Sequence, residues 1–202
     1  MTPNRQLRIL ALAIIVCTAT LACSDDPTQP RAYGGPPPPN FSLPESTLAV
    51  LANAIHQRNM ENCDLCLADT LLEGREFHAT FDPADLTDFI TGGGVPPADW
   101  NGAAESAFLP HFLVLNTTAF YEVRFTLDTD RGGIIDVGGP KQKHIYNLHY
   151  RVWAGSTPVV AGAVGMTFER LGVHSDFKIT YWEDRRDTTE ITTWGLARLR
   201  SL

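Results

Sequence analysis

The segment that follows residue 43 carries apolar residues at helical spacing. In PESTLAVLANAIHQR they recur every three or four positions, at Leu48, Leu51, Ala52 and Ile55. This spacing places them on one face, so the pattern predicts an amphipathic helix that begins at Pro44. Ser42 and Glu45 fit a capping box at its start, because a hydroxyl and a carboxylate in these positions accept hydrogen bonds from free backbone N–H groups.

The segment 60–108 contains several short patterns, each typical of a different element. We predict a second short helix over 60–67, a strand over 76–81 (EFHATF), a loop over 82–99 and a helix over 100–108. The loop is predicted because this stretch is rich in Asp, Gly and Pro. The last helix is expected to end before Pro110, since a proline ring clashes with the preceding helical turn.

The second half of the domain is β in character. Alternating or aromatic-rich runs occupy four stretches, 117–127, 144–153, 159–168 and 176–184. Such residues are typical of strands, and turn residues separate the four runs. Helices that come first and long strands that follow predict an α+β fold, in which about three amino-terminal helices pack on one face of an antiparallel sheet.

Alternation along these strands assigns side chains to the two faces of the sheet. Four tyrosines share strand parity with the larger apolar residues around them: Tyr121, Tyr146, Tyr150 and Tyr181. We therefore expect their rings to face the helices. A buried tyrosine hydroxyl needs a hydrogen-bond partner, so these residues are candidate walls of a ligand pocket with a few polar points. The simpler interpretation is that they fill the core.

The first residues have the layout of an export signal. Arg5 and Arg8 precede the wholly apolar run ILALAIIV at 9–16, and the smaller residues CTATLA follow. A charged start, an apolar centre and a small-residue end are typical of a secretory signal peptide. A membrane-spanning helix needs about 20 apolar residues, so cleavage is favoured over a permanent span.

Cys23 follows this signal directly. The sequence Thr20-Leu21-Ala22-Cys23 resembles the lipobox of bacterial lipoproteins, in which the cysteine is lipidated on sulfur and becomes the new amino terminus. An ordinary signal cut nearby, with Cys23 as a spare thiol, is the alternative. The resemblance implies a lipid anchor in the cell envelope. It favours the outer over the inner membrane, because Ser24 stands where Asp is associated with inner-membrane retention.

The stretch 24–40 (SDDPTQPRAYGGPPPPN) has almost nothing to bury. It holds six prolines and two glycines, and proline favours the extended polyproline II conformation. We expect a semi-rigid spacer between the anchor and the folded part. The chain is thus divided into a signal peptide at 1–22, a lipidated cysteine with its linker at 23–43 and a domain at 44–202.

The order of the elements and the last strand carry a second resemblance. Two helices, a strand, a third helix and four long strands are similar to the NTF2-like, or SnoaL-like, cone fold over roughly residues 44–190. The most specific part is the aromatic strand FKITYWED at 177–184. The resemblance implies a curved sheet wrapped around helices, with a pocket inside. The superfamily includes isomerases, dehydratases, cyclases and transport factors, so the fold alone does not choose a function.

The charge of the chain argues against a nucleic-acid partner. The formal net charge is −7, and the sequence supplies no run of Arg or Lys that would bind phosphates. Gly-x-Ser-x-Gly, phosphate-loop and dinucleotide-binding motifs are also absent from the sequence, which excludes the commoner motif-marked enzyme classes. We expect no cofactor.

Cys63 and Cys66 form a C-x-x-C pair within the predicted helix over 60–67. This spacing occurs in redox sites and in half of many zinc sites. No second pair and no clustered histidines accompany it, so a zinc site lacks ligands and we predict no metal. Two buried thiols are the first interpretation, a local disulfide the second and a redox centre the third.

His78 and Asp82 are the candidate catalytic pair if the domain is an enzyme. They share strand parity if the strand predicted over 76–81 extends to Asp82. A histidine beside a carboxylate can then act as a base with its orienting group. The alternative is that both residues lie at a solvent-facing rim.

Three hypotheses about function follow. The leading one is a noncatalytic, membrane-tethered domain at the cell envelope that binds a small apolar ligand or a protein partner. An isomerase-like or dehydratase-like enzyme is the first alternative, and it requires an ionisable group with a perturbed pKa inside the pocket. A homodimeric assembly module is the second, because the resemblance implies pairing of copies through the outer face of the sheet.

Overall fold

The computed structural model describes residues 39–114, 120–187 and 190–202. The predicted signal peptide, Cys23 and nearly all of the predicted linker lie outside these residues. Within them, no helix combines the length and the apolar character that a bilayer crossing requires.

Six helices form in the described part of the chain. In chain order they are α1 Pro44–Gln57, α2 Met60–Asp64, α3 Thr70–Glu73, α4 Pro83–Thr91, α5 Gly102–Val114 and α6 Trp194–Leu199. The apolar face predicted for α1 is confirmed, since its buried members include Leu48, Leu51 and Ile55. The capping box is wrong: the N-cap is Leu43, with no side-chain cap hydrogen bond. Pro44 takes the first helical position, where its missing N–H costs nothing.

Seven strands form one sheet in the described residues. They are β1 His78–Thr80, β2 Trp100–Asn101, β3 Tyr121–Leu127, β4 Gly133–Asp136, β5 Gln142–Ala154, β6 Thr157–Leu171 and β7 Asp176–Arg185. The order across the sheet is β2-β1-β7-β6-β5-β3, and β4 pairs with the first part of β5. Neighbours are antiparallel except β1 and β7, which run parallel. The α+β class is confirmed, with this parallel pair as a departure from a purely antiparallel sheet.

Two of the three register shifts between the long strands change which side chains of β5 and β7 face the helices. In β5 the register shifts around Asn147, which adopts a left-handed conformation with a φ of 51°. The pairing of β6 with β7 skips Thr180. An extra residue in one strand increases the local twist and reverses, beyond it, which residues point to each face. The bulges therefore curve the sheet and change the parity of β5 and β7.

The core lies on the concave face of this sheet. It contains residues of α1, α5 and α6 together with the inward residues of the long strands, among them Leu51, Phe108, Phe112, Val164, Met166, Trp182 and Trp194. Phe41 is also buried, and its carbonyl accepts a hydrogen bond of 2.8 Å from the backbone N–H of Phe177. The chain therefore joins the packed part of the molecule just before α1 begins.

The predicted loop over 82–99 is wrong, because it contains α4. Asp82 is the N-cap of this helix, and its side chain accepts a hydrogen bond of 2.8 Å from the backbone N–H of Ala84. Pro83 occupies the first turn. Asp followed by Pro is a helix-start signal, and here it outweighs the loop-like composition of the stretch.

Two other predicted helix ends are also wrong. α5 passes through Pro110 to Val114, because apolar residues on both sides of the proline are buried: Phe108, Leu109, Phe112 and Leu113. This packing outweighs the hydrogen bond that proline cannot donate. α2 stops at Asp64, because the chain then pairs with β7 through a bridge between Leu67 and Ile179.

Candidate functional site

Tyr121 and Tyr150 face the helices, as the strand parity predicts. The Tyr121 hydroxyl donates to the carbonyl oxygen of Phe112 at 3.0 Å. The Tyr150 hydroxyl donates to Asp184 Oδ1 at 2.6 Å and accepts from the backbone N–H of Trp194 at 2.8 Å. Both rings are buried, and both hydroxyls are engaged by the protein itself. These two tyrosines therefore stabilise the interior of the cone.

Tyr146 and Tyr181 lie on the other face, which corrects the prediction for these two residues. The bulge at Asn147 reverses the parity of β5, so that Tyr146 is half-buried and its ring lies over Gly133 of β4. In β7, Thr180 is an extra residue without a partner in β6, and it reverses the parity of this strand in the same way. Tyr181 is half-buried on the outer face, where its hydroxyl lies 3.0 Å from Thr80 Oγ1.

The structure does not bring His78 and Asp82 together as a pair. His78 Nδ1 lies 3.1 Å from Asp99 Oδ1, and both side chains are about half exposed. β1 ends at Thr80, so Asp82 is not on the strand. Besides capping α4, Asp82 accepts a hydrogen bond of 3.0 Å from the backbone N–H of Arg186. Asp82 thus holds the end of β7 against the start of α4.

A buried ion pair fills the centre of the cone. Glu105 of α5 accepts hydrogen bonds from Arg198 Nε at 2.7 Å and from Arg198 Nη2 at 2.9 Å. The indole N–H groups of Trp100 and Trp194 donate to the same carboxylate at 2.7 and 3.1 Å. Arg198 is completely buried, and its guanidinium stacks 4.8 Å from the ring centre of Trp182. The space that could have held a ligand in the middle of the cone is occupied by α6.

Asp184 is the second buried acid of this interior. Burial raises its pKa to about 7, against the opposing effects of Arg198 and of hydrogen bonds from Tyr150 and from the backbone N–H of Gly195. The pKa of Tyr150 is also raised, first by burial and then by the neighbouring charge of Asp184. A carboxyl of this pKa has the acid–base property that an enzyme in the cone would need. Its oxygens, however, are enclosed by β5, β7 and α6.

An apolar groove lies between α1 and one side of the inner sheet face. Its cavity volume is about 300 Å³, at the small end of the range for ligand pockets. α1 provides one wall and β3, β4 and β5 the other; the lining residues are Glu45, Leu48, Ala49, Ala52, Phe125, Leu127, Ile134, Ile145 and Leu148. Leu127 and Ile134 are 37% and 40% exposed, so the groove is open to solvent.

The chemistry of the groove is simple. Its lining includes eight apolar side chains and the carboxylate of Glu45. Leu48 and Ala52 belong to the apolar stripe that the sequence predicts for α1. The sequence pattern did not reveal Ile134, because turn residues surround β4; the signal for this strand is the apolar pair in Gly-Ile-Ile-Asp. Ile145 lies within the strand predicted over 144–153, but the bulge at Asn147 gives it the inner face instead of Tyr146. The groove can hold an apolar molecule, and Glu45 disfavours a negative group at its end of the groove.

A second apolar recess lies between α5, β6 and α6. Its volume is about 350 Å³, and its wall includes Phe112, Val159 and Thr192. In sequence, Phe112 lies close to 115–119 and Thr192 close to 188–189, and both stretches are outside the described residues. The groove beside α1 is therefore the better-defined candidate site.

Cys63 and Cys66 are buried free thiols, as the first interpretation predicts. Burial raises the pKa of Cys63 to about 12, and it raises the pKa of Cys66 still further above its ordinary value. Cys66 Sγ donates to the carbonyl oxygen of Asn62 at 3.2 Å. Redox catalysis needs an accessible thiol of lowered pKa, so this chemistry does not fit the pair. Among the described residues, no three His, Cys, Asp or Glu side chains form a group that could hold a metal ion.

Comparison with known proteins gives low-identity neighbours among solved structures. A calcium/calmodulin-dependent protein kinase type II association domain from Thiobacillus denitrificans aligns with 12% identity and a TM-score of 0.50, over 74% of this chain and 99% of its own. A protein named as a dehydratase of the NTF2-like family, from Streptomyces avermitilis, aligns with 11% identity and a TM-score of 0.47, over 71% and 92%. An NTF2-like protein from Pseudomonas putida aligns with 11% identity and a TM-score of 0.45, over 72% and 86%. No protein-family model matches the sequence, and no curated protein matches it.

The domain has the NTF2-like cone fold. At such identities the likeness shows the fold alone, so the function has to be argued from the site. In this NTF2-like domain the middle of the cone is filled by Trp194 and Arg198 of α6. The groove beside α1 leaves part of the inner sheet face open.

Proposed function

We propose that the protein is a noncatalytic lipoprotein of the cell envelope whose NTF2-like domain binds a small apolar ligand in the groove beside α1. The observation that carries this proposal is the groove itself, an open cavity of about 300 Å³ with apolar walls on the inner face of the sheet. Open apolar surface of this kind costs free energy in water, and a bound apolar molecule would recover it.

The lining favours a particular kind of ligand. Apolar side chains provide nearly the whole wall, so shape and apolar area would supply most of the affinity. Glu45 is exposed at the start of α1 and brings a negative charge to one end of the groove. The ligand we propose is therefore neutral or cationic, with its polar end, if it has one, beside Glu45.

The arrangement of titratable groups favours binding over catalysis. Asp184 and Tyr150 have the perturbed pKa values that acid–base chemistry needs, but they bond to each other and to α6 in the sealed interior. Of the groove's lining residues, only Glu45 carries a titratable group. A reacting molecule in the groove would thus have a single carboxylate and no second group to complete a proton transfer.

Blocking the groove tests the ligand-binding role. Ala49 is exposed on α1 and lines the groove, so a tryptophan there would fill the cavity without disturbing the core. We expect Ala49→Trp to weaken the binding of a neutral apolar dye such as Nile red by about tenfold or more. Fluorescence titration of the chain measures the dissociation constant.

The matched control for this experiment is Gln57→Trp. Gln57 is exposed at the other end of α1 and is not part of the groove lining. This variant should bind the dye as the unmodified chain does. Equal affinities for Ala49→Trp and the unmodified chain, or no dye uptake by either, would contradict the ligand site.

The lipid anchor needs a separate test. Cys23 follows the signal-like segment directly, and a thioether-linked lipid there would place the domain on a membrane. We expect mass spectrometry to find an acylated amino-terminal Cys23 on the mature chain. Cys23→Ala should leave an unprocessed or soluble chain, whereas Cys17→Ala, inside the signal, should not change fractionation. Unmodified Cys23 in a chain that still fractionates with membranes would count against the anchor.

A further inference from the structure

Four apolar side chains are unusually exposed at one end of the domain. Leu71 and Val173 are 95% and 94% exposed, Leu72 is 78% exposed and Leu43 is 54% exposed. Leu71 and Leu72 belong to α3, Val173 lies in the turn between β6 and β7, and Leu43 precedes α1. Single exposed apolar residues are normal on protein surfaces, but a group of them at one place marks an interaction surface.

Contacts of adjoining residues show that the segments carrying these four side chains are neighbours. Glu73 of α3 pairs with Lys178 at 3.9 Å, and its carboxylate lies close to Gly172 in the β6–β7 turn. Arg170 Nη2, just before the turn, donates to the carbonyl oxygen of Ser42 at 3.2 Å. α3, the turn and the segment that precedes α1 are therefore neighbours. We call the set of Leu43, Leu71, Leu72 and Val173 the apolar tip.

The apolar tip is held in place by local hydrogen bonds. Asp69 Oδ1 accepts from the backbone N–H groups of Leu71 and Leu72 at 2.6 and 3.1 Å. Glu73 Oε2 accepts from the backbone N–H of Asp69 at 3.1 Å. This reciprocal pair acts like a capping box whose acid comes one position later, and it fixes a short helix whose two leucines are exposed. A fixed apolar surface is less costly to bind than one that must be ordered.

The place where the chain enters the domain is beside the apolar tip. Phe41 pairs with Phe177 at 2.8 Å, and its ring lies 4.4 Å from Lys178 Nζ, the group that also pairs with Glu73. The stretch from Cys23 to this entry point is residues 24–40. The segment that leads from Cys23 therefore enters the domain at this end, beside the apolar tip.

We propose that the apolar tip docks on a lipid bilayer and orients the domain with this end toward the membrane. The inference rests on the proposed anchor, which would supply the high local concentration that a small surface needs. Four side chains are too few for a stable protein interface, which buries about 800 Å² on each partner. Shallow insertion of a few leucine and valine side chains into the headgroup region fits this size.

Docking in this orientation has a consequence for the groove. α1 begins at Pro44, next to Leu43 of the apolar tip, and Glu45 and Leu48 in its first turns line the groove. The groove would thus open close to the bilayer surface, where apolar molecules are concentrated. Its ligand could pass between membrane and groove over a short distance.

Fluorescence quenching by brominated lipids tests the docking. The lipidated full chain is reconstituted into phosphatidylcholine vesicles with and without brominated acyl chains, with tryptophan introduced by Leu72→Trp or, as the control, by Val95→Trp. Val95 is 83% exposed but follows α4, outside the apolar tip. We expect brominated lipid to quench Leu72→Trp at least about twofold more than Val95→Trp. Equal quenching of the two variants would overturn the proposal.

A second experiment introduces charge into the apolar tip. Val173→Trp should also be quenched, and the quenching should fall to the Val95→Trp level when Leu71→Asp and Leu72→Asp are added. All these side chains are exposed, so the fold should survive, and circular dichroism checks this. Quenching that persists in the aspartate variant would contradict docking through the apolar tip. A spectral shift of Leu72→Trp that depends on protein concentration, without vesicles, would instead indicate contact with a second copy and also overturn the proposal.

The anchor and the docking can fail independently. If mass spectrometry finds no lipid on Cys23, the anchor is wrong, and the same variants are then held on nickel-chelating vesicles by a histidine tag in place of residues 1–23. Stronger quenching of Leu72→Trp in that setting supports the apolar tip without the anchor. Equal quenching there rejects the apolar tip whatever holds the chain.

Discussion

Glu105 and Arg198 form a charged pair in the buried core, where loss of hydration costs a charged group the most free energy. Removing an ion pair from water costs several kcal/mol for each group, and only good geometry with further hydrogen bonds offsets it. Glu105 meets this condition, because two nitrogens of Arg198 and two indole N–H groups donate to it. Two buried nitrogen atoms, Arg198 Nη1 and Trp182 Nε1, have no hydrogen-bond partner in the described structure. The ion pair therefore serves mainly to fix the position of α6 in the core, and it contributes less to the free energy of unfolding.

Asp184 leads to a prediction about pH. Its pKa in the folded state is about 7, above the ordinary value of 3.8. The folded protein therefore binds a proton at Asp184 more tightly than the unfolded chain does. This contribution to stability is fully present below pH 3.8 and is lost as the pH rises to about 7. We expect the free energy of unfolding, measured by urea titration, to fall across this range relative to that of Asp184→Asn.

The comparison with Asp184→Asn isolates this group, since the other carboxylates are common to both proteins. The amide of the variant cannot titrate, so the difference between the two unfolding free energies should depend on pH and should level off above about pH 7. A difference that stays constant from about pH 4 to about pH 8 would show that Asp184 titrates near its ordinary pKa.

For single residues, the sequence predicts which way a side chain faces only where the strand around it is regular. Parity along β3 correctly predicts that Tyr121 faces inward. The sequence shows no pattern for the contact of Asp184 with Gly195, which depends on where the chain returns after β7. Parity places Tyr146 and Tyr181 on the wrong face because it assumes an unbroken strand, and bulges interrupt both of their strands.

At the scale of elements, the stability of α4 depends on Asp82 more than the composition of this helix suggests. Asp82 caps the helix, and its other carboxylate oxygen holds the backbone of Arg186. Arg186 in turn donates to Asp85, which is completely buried. The residue that the sequence offered as a catalytic base partner is thus a structural link between α4 and the end of β7.

Replacing this cap should lower stability. We expect Asp82→Ala to reduce the free energy of unfolding by about 1–2 kcal/mol, because the first turn of α4 loses its side-chain acceptor. Urea denaturation followed by circular dichroism measures the change. Asp88→Ala is the matched control: Asp88 lies on the same helix and pairs with Arg186, but it is 55% exposed, so its loss should cost less than about 0.5 kcal/mol. Equal costs for the two variants would contradict the capping role.

Element type was easier to predict than element boundaries. The sequence predicts the long strands and α1, which have strong periodicity, but it does not predict α3, α4, α6, β2 and β4. Of these, all but α4 contain six residues or fewer. Such short elements depend on distant contacts rather than on a local repeat. β4 forms part of one wall of the groove, and the sequence does not predict this strand. The sequence alone therefore predicts α1, the other wall, but not the complete candidate site.

At the scale of the whole molecule, α6 closes the core. It brings Trp194, Leu196, Arg198 and Leu199 into the interior, all of them buried. We expect a chain that lacks residues 190–202 to lose its cooperative thermal transition. The truncation leaves Glu105 without its cation, which alone costs about 3–5 kcal/mol and is comparable with the stability of a typical domain.

Near-ultraviolet circular dichroism and thermal unfolding would measure this loss. The control is deletion of Leu202 alone, which is 70% exposed and should leave the transition unchanged. A truncated chain that unfolds as cooperatively as the full chain would show that α6 is an accessory and that the cone is stable when open.

The position of α6 after all other described elements in the sequence also matters during synthesis. A ribosome makes the chain from its amino terminus, so Glu105 emerges with Trp100 long before Trp194 and Arg198 exist. β1 must likewise wait for β7, since His78 pairs with Tyr181. Contacts so distant in sequence form slowly, and the core lacks the wall that α6 provides until residues 194–199 have been made. We therefore expect the nascent chain to stay open until α6 has been made, and the chain without 190–202 reproduces that stage. Late folding would keep the chain unfolded for the export that the proposed lipid anchor requires.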